Sequence, residues 1–77
     1  MDNEKILDLM ILGRDWYYDK LIDIQKDLDT IEKLSLKEKL NFNIAGDLLV
    51  IKREYYVQKI EEATQIIEEF KKVNNLD

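Results

Sequence analysis

A motif that occurs twice is the sequence feature that most limits how this chain can fold. Residues 8–21 read DLMILGRDWYYDKL and residues 47–60 read DLLVIKREYYVQKI, an offset of 39 residues. The motif holds both arginines, the single tryptophan and all four tyrosines. Self-similar units usually stack on each other or on further copies of themselves, so the repeat predicts both an architecture and a contact surface. Five aligned pairs are identical: Asp8/Asp47, Leu9/Leu48, Arg14/Arg53, Tyr17/Tyr56 and Lys20/Lys59.

The composition favours a single all-α domain over residues 1–77. The chain is 45% hydrophobic and 38% charged, it lacks proline and it has only two glycines, so little interrupts a helix. A domain of this size is marginally stable unless something supplements its core. Cysteine and histidine are absent, which excludes disulfides, the commonest zinc ligand and the commonest general base. We therefore expect no metal, no cofactor and no catalytic residue.

Apolar residues recur at alternating spacings of three and four in both halves of the chain, which predicts two long helices. The first helix should cover about residues 3–34, with Asp2 or Asn3 as its N-cap. The turn should fall somewhere in 34–46, and the second helix should run from there to about residue 73. Two long helices joined by a short break fold back as an antiparallel, coiled-coil-like hairpin.

The segment between the helices has a second interpretation. Ser35 and Glu38 fit a capping box, in which the serine hydroxyl and the glutamate satisfy free backbone N–H groups. A short separate helix at 36–41 is therefore an alternative to a simple turn. The seam along which the long helices should meet consists of Leu7, Met10, Arg14, Tyr17, Leu21, Ile24, Leu28 and Ile31, and of Phe42, Gly46, Leu49, Arg53, Tyr56, Ile60, Ala63, Ile67 and Phe70.

Each copy of the motif also carries apolar residues on the side away from the seam. We call these two sets the outer stripes: Leu9, Leu12 and Trp16 in the first copy, and Leu48, Ile51 and Tyr55 in the second. A partner helix covers only one side, and an exposed apolar patch of this kind usually marks an interface. The stripes predict a symmetric homodimer, which gives a four-helix bundle. The alternatives are a different protein as the partner, or a kink at Gly13 or the helix at 36–41 that covers the stripes within one chain.

The two arginines occupy equivalent seam positions that are otherwise apolar. A charge on a seam needs a partner or a route to water. With a turn centred near residue 38, Arg14 should lie opposite Glu62 and Arg53 opposite Asp23. We interpret these as ion pairs that fix the register of the helices, because polar seam residues commonly do so. The alternative is that the arginines are reserved for an anionic ligand.

An acidic face runs along the first helix, where four aspartates follow one another in steps of four: Asp15, Asp19, Asp23 and Asp27. The simple interpretation is an ordinary solvated face. The more specific interpretation is a row of carboxylates that imitates phosphates and docks on a basic groove of a partner. Lysines interleave with these acids and weaken the negative field, which favours the simple interpretation.

The net charge of -5 disfavours direct binding to nucleic acid or anionic lipid, and the longest apolar run is far shorter than the roughly 20 residues that span a bilayer. With no basic segment at the N-terminus, a cytoplasmic location is expected.

The residue bias toward Ile, Lys, Asn and Asp is typical of an AT-rich genome. The sequence thus predicts a small, acidic, non-enzymatic protein-interaction module, a regulator or inhibitor of the kind carried by phages and mobile elements, which binds a host or effector protein.

Two other function classes stay open at this point. The acidic face could act as a nucleic-acid-mimic decoy that blocks a nucleic-acid-binding enzyme. Alternatively, the chain could be a small all-helical enzyme that uses Arg14 and Arg53 in a dimer core. No phosphate-binding loop, nucleophile–base set or metal spacing is present, and this absence favours the non-enzymatic hypothesis.

Overall fold

The computed structural model describes residues 2–76, and all of its regular elements are helices. They are α1 (Asn3–Glu32), α2 (Leu36–Leu40) and α3 (Asn43–Asn74). The prediction of an all-α chain is confirmed, and the two long helices pack against each other. Met1 and Asp77, the ends of the predicted domain, lie outside the described residues.

Local hydrogen bonds mark three of the helix ends: side chains cap the free backbone N–H groups at the start of α1 and α2, and a backbone motif ends α3. Asp2 caps α1, because its carboxylate accepts a hydrogen bond of 2.7 Å from the backbone N–H of Lys5. Ser35 caps α2 by accepting from the backbone N–H of Glu38, as the capping-box pattern predicts. At the other end of the chain, Asn75 takes a left-handed conformation (φ 56°), and the N–H of Leu76 donates back to the carbonyl of Lys71. This is the pattern of a Schellman motif, which ends a helix sharply.

Contacts between α1 and α3 pair low residue numbers on one helix with high residue numbers on the other. Near one end of the molecule, the side-chain amide of Asn3 donates to that of Asn74 over 2.9 Å. Further along, Arg14 lies against Thr64 at 3.4 Å. The packed helices form a rod of 56 × 17 × 15 Å with a radius of gyration of 17.3 Å. A compact chain of this length has a radius of gyration of about 11.5 Å, so the molecule is markedly elongated.

The core of the rod is thin. Only Ile24, Ile60 and Ile67 are buried among the apolar side chains of residues 2–76, and all three lie on the seam predicted from the sequence. Phe42, which we also predicted on the seam, is an exception with 44% of its surface exposed. It stands before the first residue of α3, where the backbone is not yet helical, so the helical spacing does not apply to it.

Candidate functional site

The outer stripes are exposed apolar features of the two long helices. All six of their side chains are between 48% and 65% exposed, and repeat-related residues have similar exposures, as for Trp16 (52%) and Tyr55 (50%). The short helix α2 does exist, but it leaves the stripes uncovered. Gly13 has an ordinary negative φ inside a continuous helix and does not fold the chain over them. Neither of the intramolecular alternatives therefore shelters these residues.

The repeat produces the same local geometry twice beside the stripes. The ammonium of Lys20 lies 5.2 Å from the ring centre of Trp16, and that of Lys59 lies 5.5 Å from the ring centre of Tyr55. Both are cation–π contacts, and they are related by the 39-residue offset. Trp16 also packs on Tyr56 of the other helix, with ring centres 6.3 Å apart. One aromatic cluster thus bridges the two helices, and it consists of Trp16, Tyr17, Tyr55 and Tyr56.

Lys59 has an additional acidic neighbour. Its ammonium donates a hydrogen bond to the carboxylate of Glu62 over 3.3 Å, and this bond, together with the attraction between the two charges, raises the pKa of Lys59 above 10.5. The lysine is partly exposed, and with its raised pKa it stays charged at neutral pH. Because the carboxylate offsets this charge, the aromatic cluster does not present an uncompensated cation at this position.

The structure does not bring the predicted register ion pairs together. Arg14 donates instead to the hydroxyl of Thr64, while Glu62 accepts from Lys59 and Gln58. The residue opposite Arg14 is therefore two positions beyond the predicted one. Two residues correspond to a rotation of about 200° around a helix, which puts Glu62 on another side of α3.

The second predicted pair is displaced in the same way. Arg53 lines a groove with Gln25 and Leu28, and it makes no ion pair within 4.0 Å with Asp23 or any other acid of residues 2–76. Gln25 is the repeat mate of Thr64, so the shift of two residues applies to both halves of the molecule. The Nε of Arg14 is buried and has no hydrogen-bond partner among the described residues.

All four aspartates of the acidic face are exposed. None of them forms an ion pair within 4.0 Å in the described part of the chain. Successive members at a spacing of four are rotated by about 40°, so the row winds across the outer side of α1 rather than following one straight line. It is not repeated on α3, because the repeat mates of Asp19 and Asp27 are Gln58 and Ile66.

Two repeat-related grooves flank the aromatic cluster on one face of the rod. The first, which we call the Gly13 groove, has a volume of about 230 Å³. It is lined by Met10, Gly13, Arg14, Tyr17, Ala63, Ile66 and Ile67. The second, which we call the Lys52 groove, is lined by Trp16, Lys20, Asp23, Ile24, Asp27, Leu49, Lys52 and Tyr56. Gly13 in one groove corresponds to Lys52 in the other, and Ile66 corresponds to Asp27, so the first groove is apolar and the second is charged.

Sequence reasoning missed an apolar cluster at the connector end of the rod. We call it the connector patch, and its members are exposed by 44% to 79%: Leu36, Leu40, Phe42 and Ile44. The spacing of four between Leu36 and Leu40, directly after the capping serine, was the available signal. Ile66, which is 55% exposed, was missed as well, because its repeat mate is an aspartate.

Within residues 2–76, no group of three His, Cys, Asp or Glu side chains is placed to hold a metal ion. No helix in that range combines the length and the apolar character needed to cross a membrane. Comparison of the chain with protein-family models, with curated proteins and with solved structures gives no match. The inference about function therefore depends on the surface itself.

Proposed function

We propose that this chain is a small, non-enzymatic protein-interaction module that acts as a homodimer. In this proposal each copy is an antiparallel helical hairpin, and two copies associate through the outer stripes into a four-helix bundle. The observation that carries the proposal is the exposure of all six stripe residues, which are apolar and about half accessible to solvent. The dimer would serve as a regulator or inhibitor that binds a further protein, which fits a short acidic chain without a recognisable catalytic constellation.

The surface area supports an interface of ordinary size. The chain exposes 6109 Å², whereas a compact monomer of 9.3 kDa exposes about 5,000 Å², an excess of roughly 1,100 Å². A standard protein–protein interface buries about 800 Å² on each partner. A single interface of that size would bring the exposed area of each copy to about that of a compact globular chain.

Core size gives independent support. Only three side chains of the described residues are buried, which is little apolar burial for two helices of 30 and 32 residues. The half-buried seam residues add to the favourable side, but small helical chains commonly need oligomerisation to gain sufficient stability. Trp16 and Tyr55 are residue types that dominate the binding energy of interfaces once their rings are desolvated.

The decoy hypothesis is the second candidate, and the observation that favours it is that all four aspartates of the acidic face are exposed and unpaired. A partner's basic groove would then contact α1 at Asp15, Asp19, Asp23 and Asp27. Replacing these four by lysine should abolish inhibition of a nucleic-acid-binding enzyme by this chain, and unchanged inhibition would eliminate the hypothesis. The same change at four exposed acids of α3, Glu54, Glu61, Glu68 and Glu69, alters the net charge equally and is the matched control.

The test of the dimer is sedimentation equilibrium of the wild type and of a Trp16→Glu, Tyr55→Glu variant. We expect the wild type to be dimeric at concentrations on the order of 10 µM and the variant to associate at least about 100-fold more weakly. Circular dichroism should show that the variant is still helical, because both side chains are about half exposed in one copy, although it loses the ring contact between Trp16 and Tyr56 and unfolds more readily than the dimeric wild type. A wild type that remains monomeric at concentrations on the order of 500 µM would overturn the proposal.

The matched control is a Gln25→Glu, Asn41→Asp variant. It lowers the net charge by the same two units at exposed positions outside the outer stripes. We expect it to dimerise like the wild type. If it dissociates as strongly as the stripe variant, the loss reflects charge repulsion, and the stripes are not the interface.

A further inference from the structure

We propose that the second copy docks on the face that carries the two grooves, with α1 of one copy lying over α3 of the other. In this arrangement Ile66 of each copy packs against Gly13 of the other, and Lys52 of each copy pairs with Asp27 of the other. The inference rests on the proposed homodimer and adds the way in which the two copies face each other. Its first observation is Gly13, because nothing within a single chain explains a glycine at this position.

Gly13 lies in the middle of α1, where a glycine destabilises a helix by about 1 kcal/mol relative to alanine. Its φ is negative, so the backbone conformation does not require glycine. A Cβ atom built at this position would meet nothing within 4 Å in its own chain. Neither local conformation nor intramolecular packing therefore explains the missing side chain. Close approach of a second molecule would explain it.

The face is formed by two rows of residues spaced seven apart. On α1 the row is Gly13, Lys20 and Asp27, and on α3 it is Lys52, Lys59 and Ile66. Residues seven apart lie on the same side of a helix. Gly13 is also four residues from Leu9 and three from Trp16, so its groove adjoins these two members of the first outer stripe. Leu12 is rotated by about 100° from Gly13 around the helix and lies at the outer edge of this face.

Heights along the rod decide which residues would meet. Gly13 and Ile66 line one groove, so they stand at one height, and Asp27 and Lys52 line the other groove at a second height. A two-fold axis parallel to the helices preserves height and places α1 of one copy over α3 of the other. Gly13 then meets Ile66, and Asp27 meets Lys52, so an apolar notch receives an apolar side chain and opposite charges face each other.

The other possible two-fold axis within this face gives a poor match. An axis perpendicular to the helices inverts the heights and places α1 over α1. Gly13 of one copy would then meet Asp27 of the other, and Lys52 would meet Ile66. Each apolar residue would face a charge, which is unfavourable at a desolvated interface. Charge and shape complementarity therefore select the parallel axis.

Both arrangements bring lysines together near the middle of the face: Lys20 meets Lys59 with the parallel axis, and each meets its own counterpart with the perpendicular axis. Their repulsion is reduced because each lysine has a carboxylate nearby. Lys59 is hydrogen-bonded to Glu62, and Lys20 lines the Lys52 groove with Asp23. The central lysines thus contribute little to the choice of axis, which depends on the two ends of the rows.

The decisive experiment mixes two charge-reversed variants, Asp27→Lys and Lys52→Glu. Each homodimer would contain two like-charge contacts, and at low ionic strength we expect both to dissociate at least about tenfold more readily than the wild type. An equimolar mixture would restore both opposite-charge contacts in a heterodimer. Native mass spectrometry distinguishes the three species by mass, and we expect the heterodimer to exceed each homodimer by about tenfold or more.

The outcomes separate this inference from the proposed function. A wild type that does not dimerise overturns both. A wild-type dimer whose two variants mix statistically overturns the geometry alone. A contact between positions 27 and 52 within one chain is the same in a homodimer and in the heterodimer, so only a contact between chains can favour the heterodimer.

The contact at the Gly13 groove has its own test, in which Gly46 serves as the control. Gly13→Leu should weaken the dimer about tenfold or more, and adding Ile66→Ala should recover most of that loss. Gly46 is also helical, and a Cβ there would also meet nothing within 4 Å, so Gly46→Leu should stabilise the helix without weakening the dimer. Equal effects of the two leucine variants on the dimer would show that the Gly13 groove is not occupied by a second copy.

Discussion

The two copies of the motif have similar outer stripes but different grooves. Lys20 and Lys59 stack on Trp16 and Tyr55 in the same way, because the lysines are identical and both of their partners are aromatic. One substitution on each helix then separates the grooves chemically, since Gly13 and Ile66 in the first correspond to Lys52 and Asp27 in the second. A repeated sequence thus gives repeated geometry wherever side chains match. Where they differ, it gives one face with an apolar end and a charged end.

The largest expected difference between the halves is in the core. Ile67 is 1% exposed, whereas its repeat mate Leu28 is only half-buried. Ile67→Ala should lower the free energy of unfolding by about 3 kcal/mol, since it removes fully buried methylenes and leaves a cavity. Leu28→Ala should lower it by about half as much. Urea denaturation of both variants at one fixed protein concentration gives the comparison, and equal losses would contradict the difference in burial between Ile67 and Leu28.

A smaller difference is expected between the two arginines. Arg14 has a buried Nε without a hydrogen bond and one long bond to Thr64, so replacing it by an apolar side chain removes an unsatisfied group. Arg14→Met should leave the free energy of unfolding unchanged or raise it by about 1 kcal/mol. Arg53→Met should change it by less than about 0.5 kcal/mol. Thermal unfolding measures both, and a loss of more than about 2 kcal/mol at Arg14 would mean that its guanidinium has a partner in solution.

The smallest effect concerns Lys59, whose pKa is raised by Glu62. Glu62→Gln should lower the pKa of Lys59 back toward 10.5, because the carboxylate is the main cause of the increase. Any stability that this contact contributes is fully present below pH 10.5 and is lost as the pH rises through the higher, folded-state pKa. NMR titration of the lysine side chain measures the shift. Glu61→Gln removes the same charge one residue away and should leave the pKa of Lys59 nearly unchanged.

Much of the fold follows from local sequence signals. Asp2 and Ser35 are found as helix N-caps, and the three buried isoleucines lie on the predicted seam, because capping and helical periodicity depend on residues only a few positions apart. The partners of the arginines could not be obtained in this way. The register of two helices depends on how the connector is built, and α2 moves the opposing residue by two positions, from Glu62 to Thr64.

The proposed contact surface was predictable only in part. Spacing within one helix identifies the outer stripes, since all of their members come from the same motif. The Gly13 groove combines residues of α1 with Ala63 and Ile66 of α3, which are about 50 positions away in the chain. Ile66 has no apolar counterpart in the first half, so the repeat gives no hint of it. Such a site becomes visible only when the two helices are in register.

The slender shape of one molecule, 56 Å long and 15–17 Å across, has a hydrodynamic consequence. Two rods that associate side by side make a particle of similar length and greater thickness, so its frictional ratio falls although its mass doubles. Joining the rods end to end through the connector patch would double the length and raise that ratio. Sedimentation velocity and small-angle scattering would therefore distinguish lateral from axial assembly without any mutation.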